Sequence, residues 1–306
     1  MHESVLLEES IEGLVGRLDG IYVDGTFGRG GHTQALLSML SPNALVLVMD
    51  KDPDAIIAAH ELAAKDSRVC VYHGSFAHLP AAIAAQGWSA VDGVLLDLGV
   101  SSPQIDTDER GFSFQRNGPL DMRMDNSSGQ TVAEYIESVS EEDLVRVLRD
   151  YGEERFARRI AGAIIAAREA QPIETTLQLA AIVKAAHPRW DKHKHPATRT
   201  FQALRMAVND ELGDLDLLLE SVVDCLTPGG RLVIISFHSL EDRRVKRFMR
   251  AASQGPVVPR GVPIQGQQAD GPLRLVGKAI KPDQNEVTQN VRARSAVLRI
   301  AERRTP

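Results

Sequence analysis

Cysteine is nearly absent: Cys70 and Cys225 are the only two thiols in 306 residues, each in an apolar context. That excludes a disulfide framework and a cysteine-based zinc site, and leaves two buried thiols as the expectation. Long hydrophobic runs are also missing. Stretches such as Leu45 to Met49 fall far short of the roughly 18 to 20 residues that cross a bilayer, so no membrane partner is expected. The opening Met1-His2-Glu3-Ser4 carries an acid where a secretory signal carries Lys or Arg, and no apolar segment follows, so a cytoplasmic protein is expected. With 43% hydrophobic and 25% charged residues, the chain has enough apolar material for one large folded domain or two smaller ones.

Net charge is −6, but its distribution is uneven. Residues 1 to 100 carry 5 basic against 13 acidic side chains, residues 101 to 230 carry 15 against 22, and residues 231 to 306 carry 15 against 6, a net of +9. A polyanionic partner fits the last quarter, unless the clustering is only a solvated surface.

The first 100 residues alternate β-rich runs with helical segments at the spacing of βαβ units. Strands are expected at Gly20 to Asp24, Leu45 to Asp50, Val69 to His73 and Val91 to Leu96, with helices at His32 to Leu40, Ala55 to Ala64 and Leu79 to Gln86. The near-continuous apolar strands predict a parallel sheet covered on both faces. Ser101 to Gly129 is then a long irregular segment, and such segments are usually functional. Residues 132–207 are helix-like without strand signals. The α/β pattern resumes with Asp210 to Leu226, a Thr227-Pro228-Gly229-Gly230 turn, a strand at Arg231 to Ile235, a basic helix at Leu240 to Ala252, and closing strands at Leu273 to Gly277 and Ala296 to Ile300. This predicts a discontinuous sheet domain, residues 1–131 and 208–306, interrupted by an all-helical domain at 132–207.

The sharpest local signal is Asp24-Gly25-Thr26-Phe27-Gly28-Arg29-Gly30-Gly31-His32, between a strand and a helix. Glycines there allow positive φ and close approach of backbone N–H groups to a ligand. A dinucleotide fingerprint needs Gly or Ala three residues after Gly30, where Thr33 stands, which weakens a nicotinamide reading. An acid opening the turn, Asp24, suits an amino-acid ammonium better than a pyrophosphate, and so points to S-adenosylmethionine. Asp50 lies 20 residues beyond Gly30, where a carboxylate accepts from both ribose hydroxyls; capping of the next helix would explain it too. Phe76 either borders an adenine or is an ordinary core aromatic.

The fourth strand runs into Asp97-Leu98-Gly99-Val100-Ser101-Ser102-Pro103-Gln104 at the carboxyl edge of the predicted sheet, where open α/β folds bind ligands. In methyltransferases acting on exocyclic amines this region supplies acceptors to the attacking nitrogen, so Asp97 and the Ser101, Ser102 and Pro103 turn are catalytic candidates; a simple turn acid is the alternative for Asp97. His238, at the end of a later strand, is a candidate substrate contact or proton acceptor, since no Gly-x-Ser-x-Gly elbow supports a serine hydrolase. Phe112, Phe114, Asp121, Met122 and Arg123 suit either a lid over an extruded base or packing of the loop.

The residues also carry a family resemblance. VDGTFGRGGHT (Val23 to Thr33), LLDLGVSSPQ (Leu95 to Gln104), ERGFSF and GPLDMRMD (Glu109 to Asp125), YGEERFARRIA (Tyr151 to Ala161), KHPATRTFQALR (Lys194 to Arg205) and ISFHSLEDRRVKRF (Ile235 to Phe248) together resemble the bacterial small-subunit ribosomal RNA (cytosine-N4)-methyltransferase H family. The resemblance implies a Rossmann-like class I sheet and S-adenosylmethionine contacts at Gly30, Gly31, His32, Asp50, Phe76, Asp97 and Gln104. It also implies methylation of a cytidine amino group in the decoding region of 16S ribosomal RNA, within the small subunit or its precursor. Val291 departs from the Pro usual in the family. Basic residues Lys192, Lys194, Arg199 and Arg205, and Arg243, Lys246 and Arg247 on a helix, suit phosphate contacts. The three histidines His187, His193 and His195 lack an acid or cysteine to complete a site, so no metal is expected. A homodimer is compatible with the sequence.

Three other readings stay open at this level. A nicotinamide oxidoreductase shares Asp50 and the glycine turn; a methyltransferase for a protein or small molecule leaves the basic stretches unexplained; a non-catalytic RNA-binding factor needs only those stretches.

Overall fold

A computed structural model describes residues 4–188, 195–255 and 270–305. It divides into two compact units, one of residues 1–99 with 213–306 and one of residues 100–212.

In the first unit, seven strands form one sheet: β1 (Ile21–Asp24), β2 (Leu45–Asp50), β3 (Val69–His73), β4 (Val91–Asp97), β5 (Leu226–Ser236), β6 (Leu273–Leu275) and β7 (Val297–Arg303). Their order is β3-β2-β1-β4-β5-β7-β6. β1 to β5 are parallel, and β7 runs antiparallel to both neighbours, β5 and β6. The α/β, Rossmann-like sheet expected from the sequence is therefore present, with strand order reversing beside β1, where such folds open a ligand crevice.

Both sheet faces are buried, and the period of two decides which side chain lies on which face. Leu47, Met49, Val94, Leu96, Leu232 and Ile234 join one apolar cluster. Their neighbours Val46, Val48, Leu95, Val233 and Ile235 join the other. The helix Leu79–Ala85 and Leu215, Leu218 and Val222 cover the first face; Leu7–Leu14 and Gly31–Met39 cover the second. The Thr227 to Gly230 turn read from the sequence lies inside β5 as a register break: Val91 faces Leu226, and Gly93 then faces Arg231.

The second unit is helical, with Val132–Ser138, Glu141–Asp150, Ala157–Ala170, Thr176–Ala186 and Thr198–Val208 around a core that includes Ile136, Leu148, Ile160, Val183 and Leu204. Capping boxes at Thr131 with Glu134 and at Thr175 with Gln178 satisfy the first-turn donors, each worth about 1 kcal/mol. The sequence assigns residues up to 131 to the sheet domain; in the structure Leu120 and Met122 lie in the helical core. The loop is fixed by Asn209, whose Nδ2 donates to the Met122 carbonyl and whose Oδ1 accepts from Met124 N–H, both at 2.7 Å. Phe114 stacks on His195 and meets Phe201 edge-on, at 4.6 and 4.8 Å between ring centroids. Among the described residues, no helix is long and apolar enough to cross a membrane.

Candidate active site

The parallel strands deliver three acids, Asp24, Asp50 and Asp97, to one edge of the sheet as the last residues of β1, β2 and β4. The turn after β1 binds them together. Asp24 is buried, and its oxygens accept from Thr26 N–H at 3.1 Å and from the Thr33 hydroxyl at 2.6 Å. Thr33 is thus the brace of the turn, and Asp24, expected to face an ammonium, is engaged within it. Asp50 accepts from Gly28 N–H at 2.8 Å and from Asp52 N–H at 2.9 Å. The Thr26 hydroxyl oxygen accepts from Asp97 N–H at 2.6 Å.

Gly28 and Gly30 have φ of 55° and 76°, the left-handed region that glycine enters without penalty. Gly30 precedes the helix Gly31–Met39, whose first turn has no side-chain cap. A helix start of this kind presents backbone donors and a positive dipole end. Gly25 lies against the wall of the site: a Cβ there would stand 2.5 Å from Leu96 Cδ2 and 3.2 Å from Phe76 Cβ. Phe76 opens a short 3-10 turn capped by Ser75, whose hydroxyl oxygen accepts from Ala77 N–H at 3.1 Å and whose hydroxyl donates to Asp214 at 2.7 Å. Lys51 pairs with the same Asp214. Nothing local in the sequence links Asp214 to this turn.

Asp97 has the least satisfied side chain of the three. Its Oδ1 is buried without a hydrogen-bond partner among the described residues, and its Oδ2 lies 3.8 Å from His32 Nδ1. Burial pushes its carboxyl up to about 6; His32 opposes the rise, while Asp24 and Glu241 add to it. Burial likewise pushes Asp50 up to about 6, against the N–H groups of Asp52 and Gly28, and raises Asp24. An orphaned buried acceptor, a glycine cradle and an excess of carboxylates fit a nucleoside that carries a sulfonium and an ammonium. A pyrophosphate would meet repulsion.

His238 is a helix cap. Its Nδ1 lies 3.5 Å from Glu241 N, its Nε2 lies 3.0 Å from Glu241 Oε1, and the other Glu241 oxygen accepts from Phe237 N–H at 3.0 Å. Nδ1 facing a backbone donor leaves the ring hydrogen on Nε2. Glu241, missed by sequence reasoning, is 3% exposed; the Ser/His-x-x-Glu spacing of a capping box was its available signal.

Ser101, Ser102, Pro103 and Gln104 belong to the second unit, where Gln104 Oε1 accepts from Ser101 N–H at 2.9 Å to close the cap of the short helix Ser102–Asp106. Among the basic residues, Arg123 forks onto Asp121 at 2.8 and 2.9 Å. Arg205 forks onto Glu211 at 2.7 Å through both nitrogens. Such bidentate pairs hold the planar guanidinium in place. Arg199 donates to the Glu153 carbonyl at 3.0 Å and remains exposed. Arg243, Lys246 and Arg247 are exposed on the helix Ser239–Ser253. Lys192 and Lys194 lie outside the described residues.

Known proteins resemble this chain along almost its whole length. The profile described as the MraW methylase family matches residues 1–304. Among curated relatives, the ribosomal RNA small subunit methyltransferase H of Legionella pneumophila (strain Paris) is 54% identical over 303 residues, covering 99% of this chain and 98% of that protein. Proteins of the same name from Marinomonas sp. (strain MWYL1), 54% identical, and Thioalkalivibrio sulfidiphilus (strain HL-EbGR7), 53% identical, each cover 99% of this chain and 97% of their own length.

Proposed function

The chain belongs to the MraW methylase family, and from that premise we propose that it methylates the N4 amino group of a cytidine in the decoding region of small-subunit ribosomal RNA. The class of the enzyme is that of its family: an S-adenosylmethionine-dependent methyltransferase of small-subunit ribosomal RNA. The cytidine, its position and the form of the particle are the finer reading.

When bound, S-adenosylmethionine supplies a methyl group on a positively charged sulfur. The chain's own residues must do the rest. The left-handed glycines at 28 and 30 shape the turn, the uncapped helix start after Gly30 presents backbone donors, Asp50 is the acceptor for ribose hydroxyls, and Phe76 offers a face for the adenine. The target amine is a poor nucleophile because its lone pair is delocalised into the ring. Bound there, the donor would supply its methyl carbon to N4, its sulfur keeping the electron pair of the broken bond, and positive charge would move onto nitrogen. An acceptor fixed beside that nitrogen therefore stabilises the transition state more than the ground state. We assign that acceptor to Asp97 Oδ1, which also takes the proton N4 then sheds. No base is needed before attack, and no covalent enzyme intermediate forms, since the turn after β4 contains no cysteine.

The base must leave its stack, at a cost of a few kcal/mol unless the particle already exposes it. Arg243, Lys246, Arg247 and Arg199 are the phosphate contacts we assign. The carrying observation is the buried Asp97 Oδ1, without a partner among the described residues, beside the glycine turn. Mass mapping of small-subunit ribosomal RNA tests the reading. A strain without the gene should lose one cytidine methyl group, restored by the wild-type gene and not by Asp97→Ala. An unchanged methylation profile overturns it.

A further inference from the structure

Asp214 stands in the first unit, in the helix Glu211–Cys225, with its side chain 14% exposed. Two groups from the acid-bearing edge of the sheet close on it. The Ser75 hydroxyl donates to Oδ2 at 2.7 Å, and the Lys51 ammonium pairs with the same oxygen. Ser75 is buried and its hydroxyl oxygen already accepts from Ala77 N–H at 3.1 Å, so its one hydrogen belongs to the carboxylate. Lys51 follows Asp50 at the end of β2, and Gly74 N–H donates to the Asp50 carbonyl at 2.8 Å. The ends of β2 and β3 and this helix therefore meet at one carboxylate.

A carboxylate held through one oxygen by a hydroxyl and an ammonium has its other oxygen fixed in direction. Asp214 Oδ1 makes no hydrogen bond among the described residues, so its accepting capacity is left for a ligand or for solvent. Phe76, the ring assigned to the adenine, is the residue directly after Ser75. Lys51 balances the charge of Asp214, so this corner suits the neutral base of the donor and not its sulfonium or ammonium. The edge of adenine carries an exocyclic amine that donates two hydrogens. A brace for the Ser75 turn alone would use only Oδ2.

We infer that Asp214 determines which base the donor carries: pinned through Oδ2 beside Phe76, it accepts through Oδ1 from the exocyclic amine of adenine. The assignment deepens the reading of Phe76 as the adenine wall and rests on it. A stacked ring by itself accepts any purine, because every base has a flat face. An acceptor on the edge selects the amino group. A 6-oxo purine in the same place would turn a carbonyl oxygen against a carboxylate, and two acceptors cannot share a hydrogen there. Selection thus comes from a residue 139 positions along the chain from the turn it braces.

The test is calorimetric binding to the full-length protein of three ligands: S-adenosylhomocysteine, S-inosylhomocysteine and the purine analogue in which hydrogen replaces the amine. The wild type should bind the adenosyl ligand about tenfold or more tighter than the purine one, as the loss of a hydrogen bond to a charged group requires, and should reject the inosyl ligand by roughly 100-fold. Asp214→Asn can turn either its oxygen or its amide hydrogens to the base, so the adenosyl and inosyl ligands should then bind within about threefold of each other. Asp214→Ser should lose most of the preference over the purine ligand. Circular dichroism checks that both variants are natively folded. A purely structural Asp214 would weaken all three ligands alike and leave the wild-type ratios unchanged, which overturns the inference. If neither variant folds, the wild type decides: equal binding of the adenosyl and purine ligands overturns the assignment, and a clear preference for the amine upholds it. No binding of S-adenosylhomocysteine at all would sink the donor reading itself and this assignment with it.

Discussion

The backbone N–H of Asp97 donates to Thr26 Oγ1 at 2.6 Å, across 71 residues of sequence. One hydroxyl thus ties the end of β4 to the glycine turn after β1. The acid assigned to the substrate amine and the turn assigned to the methyl donor are parts of one braced edge.

Thr26→Val keeps the shape of the side chain and removes that acceptor. The Asp97 N–H is left without its partner, which should lower stability by about 1–3 kcal/mol. Donor affinity should fall with it, because the turn and β4 lose their common anchor. Urea unfolding and calorimetric titration with S-adenosylhomocysteine check the two effects. Unchanged affinity would show that the tie is purely structural.

Asp97→Asn should lose methyl transfer and gain stability at neutral pH. Asp97 titrates at about 6 in the folded chain, above its ordinary 3.8. The folded state therefore binds the proton more tightly than the unfolded one, and wild-type stability falls as pH rises through that window. At pH 7.5 the ligand-free variant should be more stable by roughly 1–3 kcal/mol. The gap should close as pH falls from 6 toward 4. Thermal unfolding across that range reads the sign directly.

Gly30→Ala should weaken donor binding and destabilise the turn. A Cβ at φ 76° costs about 1–2 kcal/mol, and this one would stand 2.7 Å from the Phe27 ring. Calorimetry with S-adenosylhomocysteine should show at least a tenfold weaker complex.

Arginines on this chain should separate into two kinds. Lys246→Ala and Arg247→Ala should leave stability intact and each reduce the slope of log affinity for ribosomal RNA against log salt by about one. Arg205→Ala should instead destabilise the helical unit, because Glu211 loses both of its short contacts. Filter binding at several salt concentrations and thermal unfolding discriminate them. A stable Arg205→Ala chain with a reduced salt slope would return that residue to the RNA face.

His238→Ala should cost about 0.5–2 kcal/mol as a lost helix cap. His238→Asn, which can still cap, should recover that stability and near wild-type turnover. A stable but inactive His238→Asn protein would assign the ring a part in the reaction.

Much of this architecture was readable along the chain. The apolar runs at Leu45 to Asp50 and Val69 to His73 matched β2 and β3 at both ends: β2, buried on two faces, advertises itself in consecutive apolar residues, and the half-buried edge strand β3 in its β-branched Val69 and Val71. The helix Leu7–Leu14 escaped notice: it is a short amphipathic segment beside an unusual left-handed Leu6, with no capping side chain to announce it. Asp214 escaped because it braces Ser75 across 139 residues of sequence. Glu241 escaped because histidine stands where Ser or Thr usually opens a capping box.

The sequence by itself determined the strands, the glycine turn and the three acids that end β1, β2 and β4, since period, φ preference and strand polarity are local properties. Only the tertiary structure decided how those acids differ. Asp24 and Asp50 are engaged by the turn, Arg123 and Arg205 are engaged by carboxylates, and Asp97 keeps a buried oxygen without a partner among the described residues. Hydrogen-bonding capacity is consumed by whichever group packs nearby, and packing brings together residues that sequence separates.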